Sequence, residues 1–279
     1  MVRVGLVGCG SIGRFIADAL ARGQVPGMRL HAIADVTAEA ASVAQAYACA
    51  FTTAALDLPG LGVDLAVEAA GGAAARALAV PLLRAGCDVM LMSVGAMADA
   101  AFAAEVAEAA AAAGRRVACV THSLRHPWLR IGAIGGLDAV RAAAVAGIAE
   151  VLLTTRKPPR GLAGAPWFDR HPVDLDALTE PAVVFEGNAA EAIAAFPANV
   201  NVAVALSLAG VGPARTRVRI VAEPGLNRNV HEVTVRGDFG ELRVEIANVP
   251  SPRNPRTAML AGLSAIAALR RIAAPIVIG

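Results

Sequence analysis

The opening stretch of the chain constrains the fold more than any other. "RVGLVG" (3–8) is a branched apolar run of buried-strand type, and it breaks directly into "CGSIG" ahead of a segment with helical periodicity. Gly8, Gly10 and Gly13 therefore stand as a GxGxxG pattern between a strand and a helix, with Ser11 and Ile12 completing the turn. In that context the first glycine permits a tight turn, and the second lets the backbone approach a pyrophosphate. The third allows close helix–strand packing, while the helix N-terminus favours negative charge. A second strand, "RLHAIAD" (29–35), ends in Asp35, 22 residues after the last glycine. An acid there accepts hydrogen bonds from the adenosine ribose hydroxyls and repels a 2′-phosphate, which favours NAD. Arg14 is the nearest compensating base and leaves NADP open.

The alternation continues. "SIGRFIADALARG" places Ile12, Phe15, Ile16 and Leu20 on one helical side. Strands are expected at 63–70, 87–93 and through "RRVACVT", with helices through "TAEAASVAQAYA", at 72–85 and at 98–114. Strands alternating with helices of this length imply βαβ units and a doubly wound parallel sheet. "VEAAGG" (67–72) and "SVGAMAD" (93–99) follow two of those strands, and their small residues, Ala70 among them, leave room for a ligand at the strands' carboxyl ends. After about residue 145 the pattern changes. "GIAEVLLTTRKPP" and "AVVFEG" read as strands, two helical stretches meet at Pro197, and three strands follow in series at 216–223, 229–236 and 241–247. Such a run through tight turns predicts a second, α+β domain on a mixed or antiparallel sheet. The expected division is 1–121 and 122–251, with a helix over 254–272 returning to the first domain.

Composition removes several classes. The formal net charge is +2 and no basic stripe is interleaved with aromatics, so no nucleic-acid partner is expected. The apolar N-terminus is broken by glycines and followed by Asp18, unlike a signal peptide, and no apolar run of spanning length escapes a charge or Gly/Pro break. The cysteines, Cys9, Cys49, Cys87 and Cys119, are far apart with no CxxC pair. They read as free thiols of a reducing cytoplasm. The five histidines show no metal-site spacing, so no metal is expected.

Candidates for chemistry lie mainly in the second half. "IGAIGGLDAV" (131–140) opens a helix with exposed backbone N–H groups. "FPANVNVAVALSLAG" carries Asn199 and Asn201 at a helix start, where one caps the helix or both meet a carboxamide. Lys157 is the only lysine of the chain, a compact ammonium donor retained among arginines, and Arg156 precedes it. In "RNVHEVTVRG" period-2 alternation sets His231 beside Val233 and Val235, with Glu232, Thr234 and Arg236 opposite. The ring is either a satisfied core residue or a titratable group facing a ligand.

Taken together, GCGSIG, SVGAMAD, GAIGGLDA, TRKPP, FEGNAAEAIAAFPANVNVA, RNVHE and NPRT resemble the L-aspartate dehydrogenase family of the NadX type, nearly end to end. The resemblance implies a Rossmann domain with a mixed α/β catalytic domain, as a homodimer. It implies NAD(P)-dependent deamination of L-aspartate to iminoaspartate, a precursor in NAD biosynthesis, or reductive amination of oxaloacetate with ammonia. It implies that His231 is catalytic, and that Ala133 with Asn201 or Asn199 contacts the nicotinamide. A histidine titrating near neutrality suits the proton transfer. Lys157 and Arg156 are the candidates for the substrate carboxylates. Sugar and cyclitol dehydrogenases carry a catalytic Glu-Lys-Pro where this chain has Ser93-Val94-Gly95. Family members read Pro-Ser-Gly ahead of AIGG, and here Arg130-Ile131 replaces Pro-Ser. The readings from other classes are a homoserine-dehydrogenase-like enzyme and a non-catalytic NAD-binding regulatory module.

Overall fold

A computed structural model describes residues 1–119, 122–123, 134–197, 201–251 and 254–274, with backbone alone at 122–123 and 254–257. The chain divides into two compact units: Met1–Ile131 with Ala261–Gly279, and Gly132–Leu260.

In the first unit, β1 (Val2–Val7), α1 (Ser11–Ala21), β2 (Met28–Ala34), α2 (Ala38–Ala46) and β3 (Ala50–Thr52) lead into β4 (Leu65–Glu68) and α3 (Gly72–Arg84). β5 (Asp88–Leu91), α4 (Ala100–Ala113), β6 (Val117–Cys119) and β7 (His122–Ser123) complete the series. The strand order is β3-β2-β1-β4-β5-β6-β7, parallel except for the β6–β7 pair. Strand β3 was not expected, because three residues are too short to display a period. Val4, Leu6, Ile33, Val67 and Met90 form the buried centre, and Ile16 and Leu20 of α1 dock on it.

The second unit holds α5 (Leu137–Ala146), β8 (Ile148–Lys157), β9 (Ala182–Asn188), α6 (Ala189–Ala195) and α7 (Asn201–Ala209). β10 (Thr216–Ala222), β11 (Asn229–Gly237), β12 (Gly240–Asn248), β13 (Pro250–Ser251) and β14 (Asn254–Ala258) follow. The main sheet runs β12-β11-β8-β10-β9 and is mixed, with β8 and β10 parallel and its other pairs antiparallel. Strands 10 to 12 therefore do not pair in series. β11 and β12 form a hairpin, but the six residues between β10 and β11 carry the chain past β8, which separates the two. One face of the sheet is covered by Leu137 and Val140 of α5, Ala189 and Ala192 of α6, and Val202 and Leu206 of α7. Helix α7 is apolar on nearly every side and correspondingly buried, as such a helix must be. A capping box, in which Asn188 and Glu191 each accept the other's backbone N–H, starts α6.

The last helix, α8 (Met259–Ala273), begins five residues later than the sequence pattern suggested. Asn254–Ala258 is instead a strand paired with β13. Pro255 lacks the amide hydrogen and disfavours helical backbone in the residue before it. Ala265, Ile266, Ala268 and Leu269 of α8 join the core of the first unit, and Gly262 sits under the Phe15 ring, where a Cβ would come within 2.7 Å.

Candidate active site

The turn after β1 is shaped by its glycines. Gly8 has φ +89°, and a Cβ there would lie 2.8 Å from the Cβ of Ala70. A Cβ on Gly13 would run into the Gly8 carbonyl oxygen, whereas one on Gly10 would meet nothing within 4 Å. The first and third glycines are thus demanded by the fold itself. The second leaves open space at the N-terminus of α1, which Gly10 caps without a side-chain hydrogen bond. Ser11 and Ile12 form the first turn of that helix, half-buried. Asp35 stands beside the loop, with its Oδ2 accepting the Cys9 N–H at 2.7 Å and its Oδ1 accepting the Thr37 N–H and hydroxyl. Burial pushes its pKa up, but those hydrogen bonds outweigh burial and hold it below the usual carboxylate value. Arg14 is turned to Glu39, 3.0 Å away. These residues fit a pyridine dinucleotide.

Glu68, which the sequence pattern did not single out, ties the next two turns together. It is 2% exposed at the carboxyl end of β4. Its Oε1 accepts the N–H groups of Ala70 and Gly71 and the Ser93 hydroxyl, and its Oε2 accepts the Ser93 N–H. Ala70 is therefore held against Gly8 by a carboxylate that also pins the turn after β5.

In the second unit, three neighbouring strands change character along the covered face in the same direction. β8 runs Val151, Leu153, Thr155, Lys157. β11, antiparallel to it, runs Val235, Val233, His231, Asn229, and β12 runs Leu242, Val244, Ile246, Asn248. Side chains two apart share a face, so the apolar core gives way to a polar row at one end of the sheet. His231 is opposite Thr155 in register, and its Nδ1 lies 3.0 Å from the Thr155 hydroxyl. Lys157, His231 and Asn248 are all buried. Beside Lys157 opens a pocket of about 620 Å³, whose polar walls are Arg160, Asn227, Arg228, Asn229 and Asn248.

Burial depresses the Lys157 pKa to about 8, and burial with the Lys157 charge depresses that of His231 to about 3. In the protein alone the imidazole is neutral across the physiological range, well below the near-neutral titration expected from the sequence. The ring is buried on the strand face it shares with Val233, opposite Ile246 in register, rather than solvated, which is the physical reason for the difference.

Of the residues predicted to bind substrate, the structure keeps Lys157 with His231 and separates Arg156 from both. Arg156 projects to the opposite face, where it pairs with Glu245 at 3.2 Å and Glu223 at 3.9 Å. Asn201 is the first residue of α7 and exposed. Ala133, Asn199 and the Arg130-Ile131 replacement lie outside the described residues. All four cysteines are free thiols. Among the described residues no group of three His, Cys, Asp or Glu side chains could hold a metal ion, and no helix is long and apolar enough to cross a membrane.

Residues 138–272 match the family model described as aspartate dehydrogenase, C-terminal, and residues 8–119 match that of the homoserine dehydrogenase NAD binding domain. The chain is 46% identical over 280 residues to L-aspartate dehydrogenase of Methanocella arvoryzae, with both chains covered entirely. It is 40% identical to L-aspartate dehydrogenase of Bradyrhizobium diazoefficiens, covering all of this chain and 94% of that one. Among solved structures, aspartate dehydrogenase of Thermotoga maritima superposes over 100% of both chains with a TM-score of 0.71 at 24% identity, a likeness of fold.

Proposed function

The chain belongs to the aspartate dehydrogenase family, oxidoreductases acting on a CH–NH₂ group, and from that premise we propose that it interconverts L-aspartate with iminoaspartate and oxaloacetate. The observation that carries the reading is the polar end of the covered sheet face, where His231 and Lys157 are both buried and Lys157 lines a pocket with further cationic and amide walls. A dicarboxylate substrate needs cations and N–H donors, and a reacting amine needs a group that can take its proton.

A nicotinamide dinucleotide held on the glycine turn supplies the hydride acceptor in deamination. The chain's own residues do the remainder. Gly8, Gly10 and Gly13 shape the turn, the α1 N-terminus would hold the pyrophosphate, and Asp35 would accept hydrogen bonds from the adenosine ribose hydroxyls. Because that carboxylate is ionised and Arg14 is engaged by Glu39, we infer a preference for NAD over NADP. Lys157 binds a substrate carboxylate. His231 accepts a proton from the substrate amine in deamination and returns it in the reverse direction. A ring with a pKa of about 3 is a poor base by itself. The substrate's two negative charges answer the Lys157 ammonium and favour an imidazolium, so the base strengthens when substrate is present.

The test is the loss of reduced-nicotinamide absorbance on mixing the protein with NADH, ammonia and a panel of 2-oxo acids. Oxidation selective for oxaloacetate and dependent on ammonia is the expected result. Ammonia-independent turnover of a hydroxy-acid pair, or no oxidation with any acid, overturns the reading.

A further inference from the structure

We propose that Thr155 is a positioning residue for His231, whose hydroxyl accepts the ring Nδ1–H and so leaves Nε2 as the nitrogen that exchanges a proton with substrate. The proposal rests on the reading of His231 given above and adds to it which edge of the ring reacts and what selects it.

Three observations carry it. Thr155 and His231 are direct cross-strand partners in the β8–β11 ladder, so the backbone fixes their separation. Their side chains share the covered face, with Oγ1 and Nδ1 3.0 Å apart and the two residues 6% and 5% exposed. Finally, the β8 row that carries Thr155 is otherwise apolar up to that point, with Val151 and Leu153 before it. A valine would fill the same volume with the same strand preference, so the fold alone does not call for a hydroxyl there.

The chemistry follows from the ring. A neutral imidazole has one N–H donor and one acceptor nitrogen, and the torsion that aims it is broad and roughly two-fold. A β-branched threonine is stiff about its first side-chain torsion, so its oxygen is a fixed reference point. If Nδ1 carries the hydrogen and gives it to Oγ1, the Nε2 lone pair is free to take the amine proton. When the reaction runs in reverse, the imidazolium gives back that same Nε2 proton, and the Nδ1–H bond persists throughout. Thr155 thus serves both directions without itself changing protonation.

The experiment uses the full-length protein with ¹⁵N-labelled histidine, and variants Thr155→Val and Thr155→Ser, with His231→Ala to assign the ring. Wild type and Thr155→Ser are expected to show His231 as the Nδ1–H tautomer, with an acceptor-type Nε2. Thr155→Val is expected to lose that signature and to turn over roughly 10- to 100-fold more slowly, with unchanged NADH affinity. Serine should restore both the tautomer and the rate. A wild-type ring carrying its hydrogen on Nε2 overturns the proposal without any variant. So does a Thr155→Val protein with wild-type turnover, or a Thr155→Ser protein as impaired as Thr155→Val. Full activity of His231→Ala would instead defeat the catalytic reading of the histidine, and this proposal with it. A dead His231→Ala beside a normal Thr155→Val defeats the proposal alone.

Discussion

Arg156 and Lys157 are consecutive residues with opposite surroundings. Lys157 is 6% exposed on the covered face of the sheet, in the row of Thr155, while Arg156 reaches Glu245 on the charged outer face at 3.2 Å. Only the lysine is placed beside the pocket, so the two cations should separate cleanly in kinetics. A hydrogen bond to a charged group is worth about 1.5–3 kcal/mol. Lys157→Met is therefore expected to raise the KM for oxaloacetate or aspartate by about 10- to 100-fold, and Arg156→Gln to leave it unchanged. Steady-state kinetics of the two variants decides this, and a larger effect at Arg156 would reverse the assignment.

His231 is expected to matter for the chemical step and not for the cofactor. Replacing a general base typically costs ~10²–10⁴-fold in rate. His231→Ala should lose turnover in that range while NADH binding, followed by its fluorescence, stays at the wild-type value. A variant that turns over normally would return the ring to the role of core filler.

The Lys157 ammonium also leaves a mark on stability. Its pKa falls from 10.5 to about 8 on folding, so between those values the unfolded chain holds a proton that the folded one has released. Wild-type stability relative to Lys157→Met should therefore climb by about 3 kcal/mol as pH rises from about 8 to 10.5. Below pH 8 the buried charge costs the wild type that amount. Urea unfolding of both proteins across this range checks it, and parallel stability curves would contradict the burial of the charge.

The first unit was legible because its signals are local. The glycine turn, the acid just after β2 and the strand–helix alternation each sit within a short window of sequence. The face of His231 was legible too, since period-2 alternation needs only β11 itself. What lay beyond that window was not. The partner that holds the ring, Thr155, is 76 residues away, and nothing in either strand states that β8 rather than β10 lies beside β11. Glu68 read as part of a small-residue turn because its far contact, Ser93, lies in the turn after the following strand. Arg156 is a different matter. Alternation applied to TTRKPP already sets it opposite Lys157, and pairing the two as carboxylate ligands passed over the same rule that placed His231.

Asp35 is expected to govern the choice of dinucleotide. Its carboxylate is held ionised by the Cys9 and Thr37 hydrogen bonds, at the position where a 2′-phosphate would bring like charge. Asp35→Ser should lower kcat/KM with NAD and raise it with NADP, shifting their ratio by about tenfold or more, since about 1.4 kcal/mol suffices for that. A wild-type ratio in the variant would place the discrimination elsewhere in the turn.

Glu68 should act on fold and cofactor together. Four hydrogen bonds from Ala70, Gly71 and Ser93 converge on this one buried carboxylate. A glutamine can keep the three bonds to Oε1. It must then point its amide nitrogen at the Ser93 N–H, so donor faces donor where Oε2 accepted. An unsatisfied buried donor costs about 1–3 kcal/mol, and relaxing the Ser93 turn is the obvious way to avoid it. Glu68→Gln is thus expected to melt several degrees lower and to bind NADH more weakly, because the Ala70 turn packs directly on Gly8. Alanine, which strands all the donors, should be worse on both counts. A Glu68→Gln protein that melts lower but binds NADH normally would make the residue a strut of the sheet and no part of the cofactor cradle.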